Sequence, residues 1–135
     1  MKKTITYVSI IILILSLGAC TQSGPSAKIN VDMTDFAFTP NQFTVPAGEQ
    51  ITLHVSHNGV VEHDFIIMKL GADAGPHFNA EDEPNVYWQI KVQPGESETI
   101  TMTAPDQPGT YQIVCGMAGH VEAGMSGALE VVVEQ

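Results

Sequence analysis

The sequence predicts one all-β domain over residues 28–135, a Greek-key sandwich of about eight strands. Short apolar or alternating runs recur along this part of the chain, Gly and Pro residues separate them, and no helical 3.6-residue period persists. Short strands spaced in this way are typical of a β-sandwich. We expect antiparallel strands over the runs 28–33, 42–45, 50–56, 61–69, 86–92, 97–103, 109–115 and 127–133.

The alternation within these runs predicts which side chains face the core. Successive side chains on a strand point to opposite faces, so apolar residues of one parity mark the buried face. In the run 50–56 this places His54 on the outward side. The residues predicted to point inward in the runs 50–56 and 97–103 are Ile51, Leu53, Val55, Ile100 and Met102.

Residues 71–84 do not follow the strand pattern. The segment is rich in Gly, Pro and acidic residues, and it is too long for a simple hairpin connection. We therefore expect an irregular excursion there, with one helical turn.

The first twenty residues predict export. Lys2 and Lys3 precede an apolar run over 7–17, which is shorter than the roughly 20 residues that a transmembrane helix needs. The run ends in the sequence LGAC, residues 17–20, which resembles a bacterial lipobox. In that pattern the cysteine, here Cys20, is acylated and becomes the first residue of the mature protein.

The lipobox resemblance implies a domain organisation and a location. Residues 1–19 would be a lipoprotein signal peptide, and residues 20–27 the lipidated cysteine and a short tether. The protein is then expected outside the cytoplasm, lipid-anchored to a membrane at the cell surface or on the periplasmic side. The alternative is an ordinary cleaved signal that happens to contain a cysteine.

The charge of the chain argues against a nucleic-acid partner, and its cysteine content argues against an internal disulfide. The chain carries 15 acidic and 5 basic residues, a formal net charge of −10, so we expect no nucleic-acid partner. Since Cys20 is assigned to the lipid, Cys115 is the one cysteine left to the domain, which can then form no internal disulfide. A single thiol in an oxidising compartment is expected to be buried or bound to a metal.

A series of possible metal ligands begins at the end of the strand 109–115. Cys115, His120 and Met125 lie within eleven residues, separated by glycines that allow a tight loop. Thiolate, imidazole and thioether together suit copper in both oxidation states, whereas structural zinc sites prefer Cys and His alone. A further imidazole is available from His63, at the start of another predicted strand. The other histidines are His54 on an outward face, His57 in a predicted turn and His77 in the excursion.

Along nearly all of residues 28–135 the sequence resembles the cupredoxins, the family of blue, mononuclear copper proteins. The resemblance rests on the spacing of the ligand loop and on the segments DFAFTP at 35–40, VPAG at 45–48, HDF at 63–65, PGTY at 108–111 and GMSG at 124–127. The ligand loop is similar to that of auracyanins and rusticyanin.

This resemblance implies a cofactor and a ligand set. One copper ion would be held in a plane by His63, Cys115 and His120, with Met125 as a weak axial ligand. Many family members have Asn after the first histidine, where its side chain ties the ligand loops together. This chain has Asp64 there, and an ionised carboxylate can only accept hydrogen bonds, for example from backbone N–H groups of the Cys115 loop.

The resemblance also implies a function, which is electron transfer and not enzymatic catalysis. The expected partner is a transient redox protein such as a cytochrome or a respiratory complex, with no small-molecule substrate. In cupredoxins the electron usually passes through the C-terminal histidine, here His120. The residues expected to form an apolar docking patch around it are Met117, Ala118, Val121 and Ala123, with Glu122 as the only charge.

Two alternatives stay open at this point. The first is copper capture or delivery at the cell surface, with Met33, His57 and His77 as surface residues that relay ions. The second is a copper oxidoreductase subunit, which would need a second copper centre built between subunits from His54, His57 or His77.

Overall fold

The computed structural model describes residues 24–134 and shows a sandwich of two β-sheets. One sheet has the strand order β2-β1-β4-β7 and the other β3-β9-β8-β5-β6. The all-β sandwich of about eight strands is confirmed, and the additional strand is the three-residue β2, which is too short for alternation to reveal. The strands are β1 (Lys28–Thr34), β2 (Ala37–Thr39), β3 (Gln42–Pro46), β4 (Gln50–His57), β5 (His63–Met68), β6 (Val86–Val92), β7 (Ser97–Thr103), β8 (Gly109–Val114) and β9 (Ser126–Val132).

Most neighbouring strands are antiparallel, but two pairs are parallel. Strand β1 runs parallel to β4, and β3 runs parallel to β9. The prediction of antiparallel pairing is wrong for these pairs because the chain changes sheets. Strands β1 and β4 are neighbours in one sheet, while β3, which comes between them in sequence, lies in the other. Parallel neighbours need such a crossover connection, and a series of short alternating runs does not reveal it.

The hydrophobic core lies between the two sheets and follows the predicted alternation. Ile51, Leu53 and Val55 of β4 are buried, as is Met102 of β7, and Ile100 packs partly buried against the same cluster. The inward faces were therefore predicted correctly. Each such side chain contributes about 1.5–3 kcal/mol when it is fully buried.

Aromatic packing joins the two sheets at the centre of this core. The ring of Phe65 on β5 meets Phe38 of β2 at a centroid distance of 5.2 Å and Phe43 of β3 at 6.1 Å, both edge to face. Aromatic pairs in this arrangement add to the free energy of area burial. Phe65 lies two residues after His63, so this packing holds the beginning of β5 in place.

Residues 69–85 leave the sandwich and cover the outer face of the second sheet. Ile66, Met68 and Val114 are buried beneath this segment together with its own Ala74, and Phe78 packs against them. Within the segment the regular structure consists of a single 3-10 turn, Glu83–Asn85. The predicted excursion is therefore a cover for a second, smaller core. Strand β5 reads as a continuous apolar run because it is buried on both faces.

The described chain begins at residue 24, close to the sandwich. The backbone N–H of Ser26 donates to the carbonyl of Thr44 at 2.9 Å, and the N–H of Thr52 donates to the carbonyl of Ala27 at 2.8 Å. The last residues of the expected tether are thus bound to the domain. The expected signal peptide and Cys20 lie outside the described residues. Between residues 24 and 134, no helix is long and apolar enough to cross a membrane.

Candidate metal centre

The ends of two neighbouring strands bring the predicted ligands together. Strands β5 and β8 are antiparallel, so the beginning of β5 lies beside the end of β8. His63 is the first residue of β5, and Cys115 directly follows β8. The loop from β8 to β9 then carries His120, and Met125 is its last residue before β9.

The donor atoms of three side chains converge at one point. The Sγ of Cys115 lies 3.3 Å from Nδ1 of His120 and 3.8 Å from Nδ1 of His63, and the two Nδ1 atoms are 3.1 Å apart. All three possible ligand atoms lie within 4.8 Å of one another. His63 and Cys115 are fully buried, while His120 is partly exposed.

The fourth predicted ligand, Met125, is fully buried in the same core cluster as Cys115. Its backbone closes the loop on both sides, because its N–H donates to the carbonyl of His120 at 2.9 Å and its carbonyl accepts the N–H of Cys115 at 3.2 Å. Gly124, at a φ of 99°, makes the left-handed turn that precedes it. Backbone hydrogen bonds thus place Met125 next to Cys115, and they do not depend on its thioether side chain.

Burial controls the protonation of Cys115 and His63 in the metal-free protein. It raises the pKa of the Cys115 thiol to about 12 and lowers the pKa of His63, although the hydrogen bond from His63 to Asp35 opposes the latter shift. The metal-free centre therefore holds a neutral thiol and a neutral imidazole. Binding a metal ion would release the thiol proton, because thiolate is the form that coordinates.

Asp64 of β5 connects this strand to the loop that follows Cys115. Its Oδ1 accepts the backbone N–H of Gly116, directly after Cys115. This is the contact to the Cys115 loop that the sequence led us to expect from a carboxylate. A Cβ atom on Gly116 would lie 2.8 Å from the end of the Ile66 side chain and 3.1 Å from both Asp64 and Phe78, so glycine eases the close approach.

Comparison with known proteins shows the family. The family model described as a cupredoxin-like domain matches residues 7–126. The chain belongs to the cupredoxin-like family. A donor set of two imidazoles, a thiol and a thioether fits one copper ion, and the cupredoxin fold has gathered it here.

Several known proteins are similar to this cupredoxin in sequence or structure. Auracyanin-A of Chloroflexus aurantiacus is 31% identical over 114 residues, with 73% of this chain and 70% of the relative covered. Its solved structure, described as that of a "blue" copper protein, has a TM-score of 0.63 at 28% identity, covering 81% of this chain and 100% of the other. The reduced auracyanin of Roseiflexus castenholzii has a TM-score of 0.68 at 33% identity, covering 81% and 99%. Plastocyanin of Sambucus nigra is 33% identical over 99 residues, covering 70% and 87%.

One histidine of this cupredoxin was misplaced by the sequence analysis. His57 is not a turn residue but the last residue of β4, and it is buried. Its ring stacks on that of His63, with centroids 4.8 Å apart and planes inclined by 27°. Its Nδ1 accepts the N–H of Gly59 at 3.2 Å, and its buried Nε2 has no hydrogen-bond partner among the described residues.

Met33 and His77, the other residues predicted to relay copper ions, do not form a series of surface ligands with His57. Met33, the β1 neighbour of His57, is fully buried, so its prediction as a surface residue is wrong. The alternation of β1 places Met33 on the core face with Ile29 and Val31. His77 is exposed, and its Nδ1 lies 3.1 Å from Oε1 of Glu122, which links the excursion to the ligand loop.

The surface beside His120 contains apolar residues that the sequence analysis missed. The ring of Phe36 meets His120 edge to face at 5.0 Å and is 44% exposed. Val60 is 81% and Val61 39% exposed, and both donate backbone N–H groups to Asp35, the residue before Phe36. Two adjacent valines between Gly59 and His63 were the available signal, because contiguous exposed apolar residues can mark an interaction surface.

Proposed function

We propose that this cupredoxin is an electron carrier and not an enzyme, with one copper ion held by His63, Cys115, His120 and Met125. The observation that carries the proposal is the convergence of two imidazole nitrogens and one thiol within 4.8 Å. Bound there, copper would supply a one-electron couple between its cupric and cuprous states. The chemistry of the relatives supports this reading, since auracyanin A is described as a blue copper protein.

The fold would contribute to electron transfer by keeping the ligands in a fixed geometry. Two of them stand at strand ends in a packed sandwich, and the loop that carries the others is closed by backbone hydrogen bonds. A site fixed in this way changes little in geometry when its charge changes, which favours fast electron exchange.

The electron would leave through His120, the ligand side chain that reaches the surface. Around it lie the apolar residues of the ligand loop, with Phe36 in edge contact. We propose this face as the docking surface for a transient redox partner such as a cytochrome or a respiratory complex. Small, mostly apolar interfaces suit short-lived encounters, and the net charge of −10 would favour a basic partner.

We also propose that the protein works outside the cytoplasm, attached to a membrane through a lipid on Cys20. Support comes from the apolar run and the LGAC sequence that ends at this residue. Lipidation would keep the carrier near membrane-bound redox partners.

Copper titration tests the function directly. A soluble form that starts after Cys20 should bind one equivalent of copper, turn blue, and show the paramagnetic resonance spectrum of a single cupric thiolate site. Exchangeable, colourless copper would support delivery instead, and more than one copper ion with catalytic turnover would support an oxidoreductase.

A further inference from the structure

The turn between β1 and β2 brings a carboxylate to the metal centre. Asp35 Oδ1 lies 3.3 Å from Nε2 of His63, on the edge of the ring opposite the Nδ1 atom that faces Cys115. We propose that Asp35 is a positioning residue of this centre, whose carboxylate fixes His63 as the Nε2–H tautomer and leaves Nδ1 free to bind the metal. This inference rests on the proposed copper function.

The carboxylate is itself held in place by the loop that leads to His63. The same Oδ1 accepts the backbone N–H of Val60 at 2.9 Å and that of Val61 at 3.3 Å. These bonds connect the β1–β2 turn to the β4–β5 loop, so the carboxylate is held against the segment that leads into His63. Asp35 is an exposed residue, so its position depends on the two backbone N–H groups and the His63 ring that meet its Oδ1.

Gly59 allows this close approach. A Cβ atom on Gly59 would collide with Oδ1 of Asp35 and would lie 3.0 Å from the backbone nitrogen of that residue. Any larger residue at this position would push the turn, and its carboxylate, away from His63.

The stacked ring of His57 completes the support. A hydrogen bond at Nε2 fixes the direction of the ring edge, and stacking at 4.8 Å restricts the tilt of the ring plane. Neither contact involves Nδ1, so both orient the nitrogen that points to Cys115. Outer contacts of this kind fix the tautomer of a metal-binding histidine and make it a stronger donor.

The charge of Asp35 gives the contact an electronic consequence. A negative group beside a ligand stabilises the cupric state more than the cuprous state, because the cupric ion carries the larger positive charge. Removing it should weaken copper binding by about 10–100-fold. Each tenfold loss that affects the cupric ion alone would raise the reduction potential by about 59 mV.

Two variants separate geometry from charge. Asp35→Asn keeps an oxygen that can accept the N–H groups of Val60 and His63 but removes the charge, whereas Asp35→Ala removes both. Asp106→Asn is the matched control, because it deletes an exposed carboxylate in the β7–β8 connection, at the opposite ends of the strands.

The test uses the whole protein, first metal-free and then loaded with copper. Nitrogen-15 spectra of the metal-free wild type should show His63 as the Nε2–H tautomer, Asp35→Asn should retain it, and Asp35→Ala should give a mixture. Voltammetry should show a higher potential in both Asp35 variants and no change in Asp106→Asn.

A wild-type His63 protonated at Nδ1 would overturn the proposal, and so would an Asp35→Ala potential equal to that of the wild type. The tautomer measurement needs neither copper nor a folded variant, so it stands even if Asp35→Ala fails to fold. A wild type that does not turn blue with copper would instead refute the proposed function.

Discussion

Replacing Met125 shows whether this residue mainly sets the reduction potential of the copper or is needed to bind it. Met125 is fully buried, but its backbone N–H and carbonyl bond to His120 and Cys115 whatever its side chain. Leucine conserves the volume, so Met125→Leu should lower the free energy of unfolding by less than about 1.5 kcal/mol. Alanine would leave a cavity and should lower it by about 2–5 kcal/mol. The loop should therefore survive the leucine change.

Besides stability, substitutions of Met125 should change the reduction potential of the bound copper. Leucine removes a soft donor but makes the site more apolar, which disfavours the doubly charged ion, so we expect Met125→Leu to retain copper and raise the reduction potential. Glutamine offers a harder oxygen donor that favours the cupric ion, so Met125→Gln should lower it. Metal analysis and voltammetry measure both. If Met125→Leu lost copper as completely as Cys115→Ala, or if Leu and Gln shifted the potential in the same direction, Met125 would not be a weak axial ligand.

Three further predictions concern the anchor, the core and the thiol. Cys20→Ser should release the protein from membranes or leave it unprocessed, and a wild type that fractionates as wholly soluble with an unmodified N-terminus would contradict the anchor. Phe65→Ala should lower the unfolding free energy of the metal-free protein by about 3–5 kcal/mol, against about 0.5 kcal/mol or less for the exposed control Val60→Ala, as measured by denaturant titration. Because burial raises the pKa of Cys115 to about 12, the ultraviolet absorbance of its thiolate, measured as the difference between the folded, metal-free wild type and Cys115→Ser, should stay nearly absent up to about pH 10, and a titration near an ordinary thiol pKa of about 8.5 would contradict the buried thiol.

The strands were predictable where one face of the chain is buried and the other is not. Alternation identified the inward residues of β4, such as Leu53, because polar residues separate them. It could not reveal the parallel neighbours of β1 and β3, since sheet membership depends on contacts between distant parts of the chain. It also could not explain the apolar run of β5, whose second face is covered by residues 69–85.

The ligands of the candidate site were predictable because three of them lie in one short loop with a fixed spacing. Their surroundings were not. His57 looked like a turn residue beside Asn58 and Gly59, although it shares the parity of the inward residues Leu53 and Val55. The stacking of its ring on His63 depends on the packing of β4 against the centre, which the alternation does not show. Asp35 is 28 residues from that histidine in sequence, and an isolated acidic residue in a turn carries no signal of such a contact.

Visible spectroscopy of copper-loaded wild type and Cys115→Ser is the decisive test of a blue copper site at Cys115. We expect one bound copper ion and an intense blue band in the wild type, lost on reduction and absent in Cys115→Ser, because the colour requires a bond between the cupric ion and the Cys115 thiolate. A wild type that binds copper without colour, or a Cys115→Ser protein that keeps the band, would contradict the ligand set proposed for this cupredoxin.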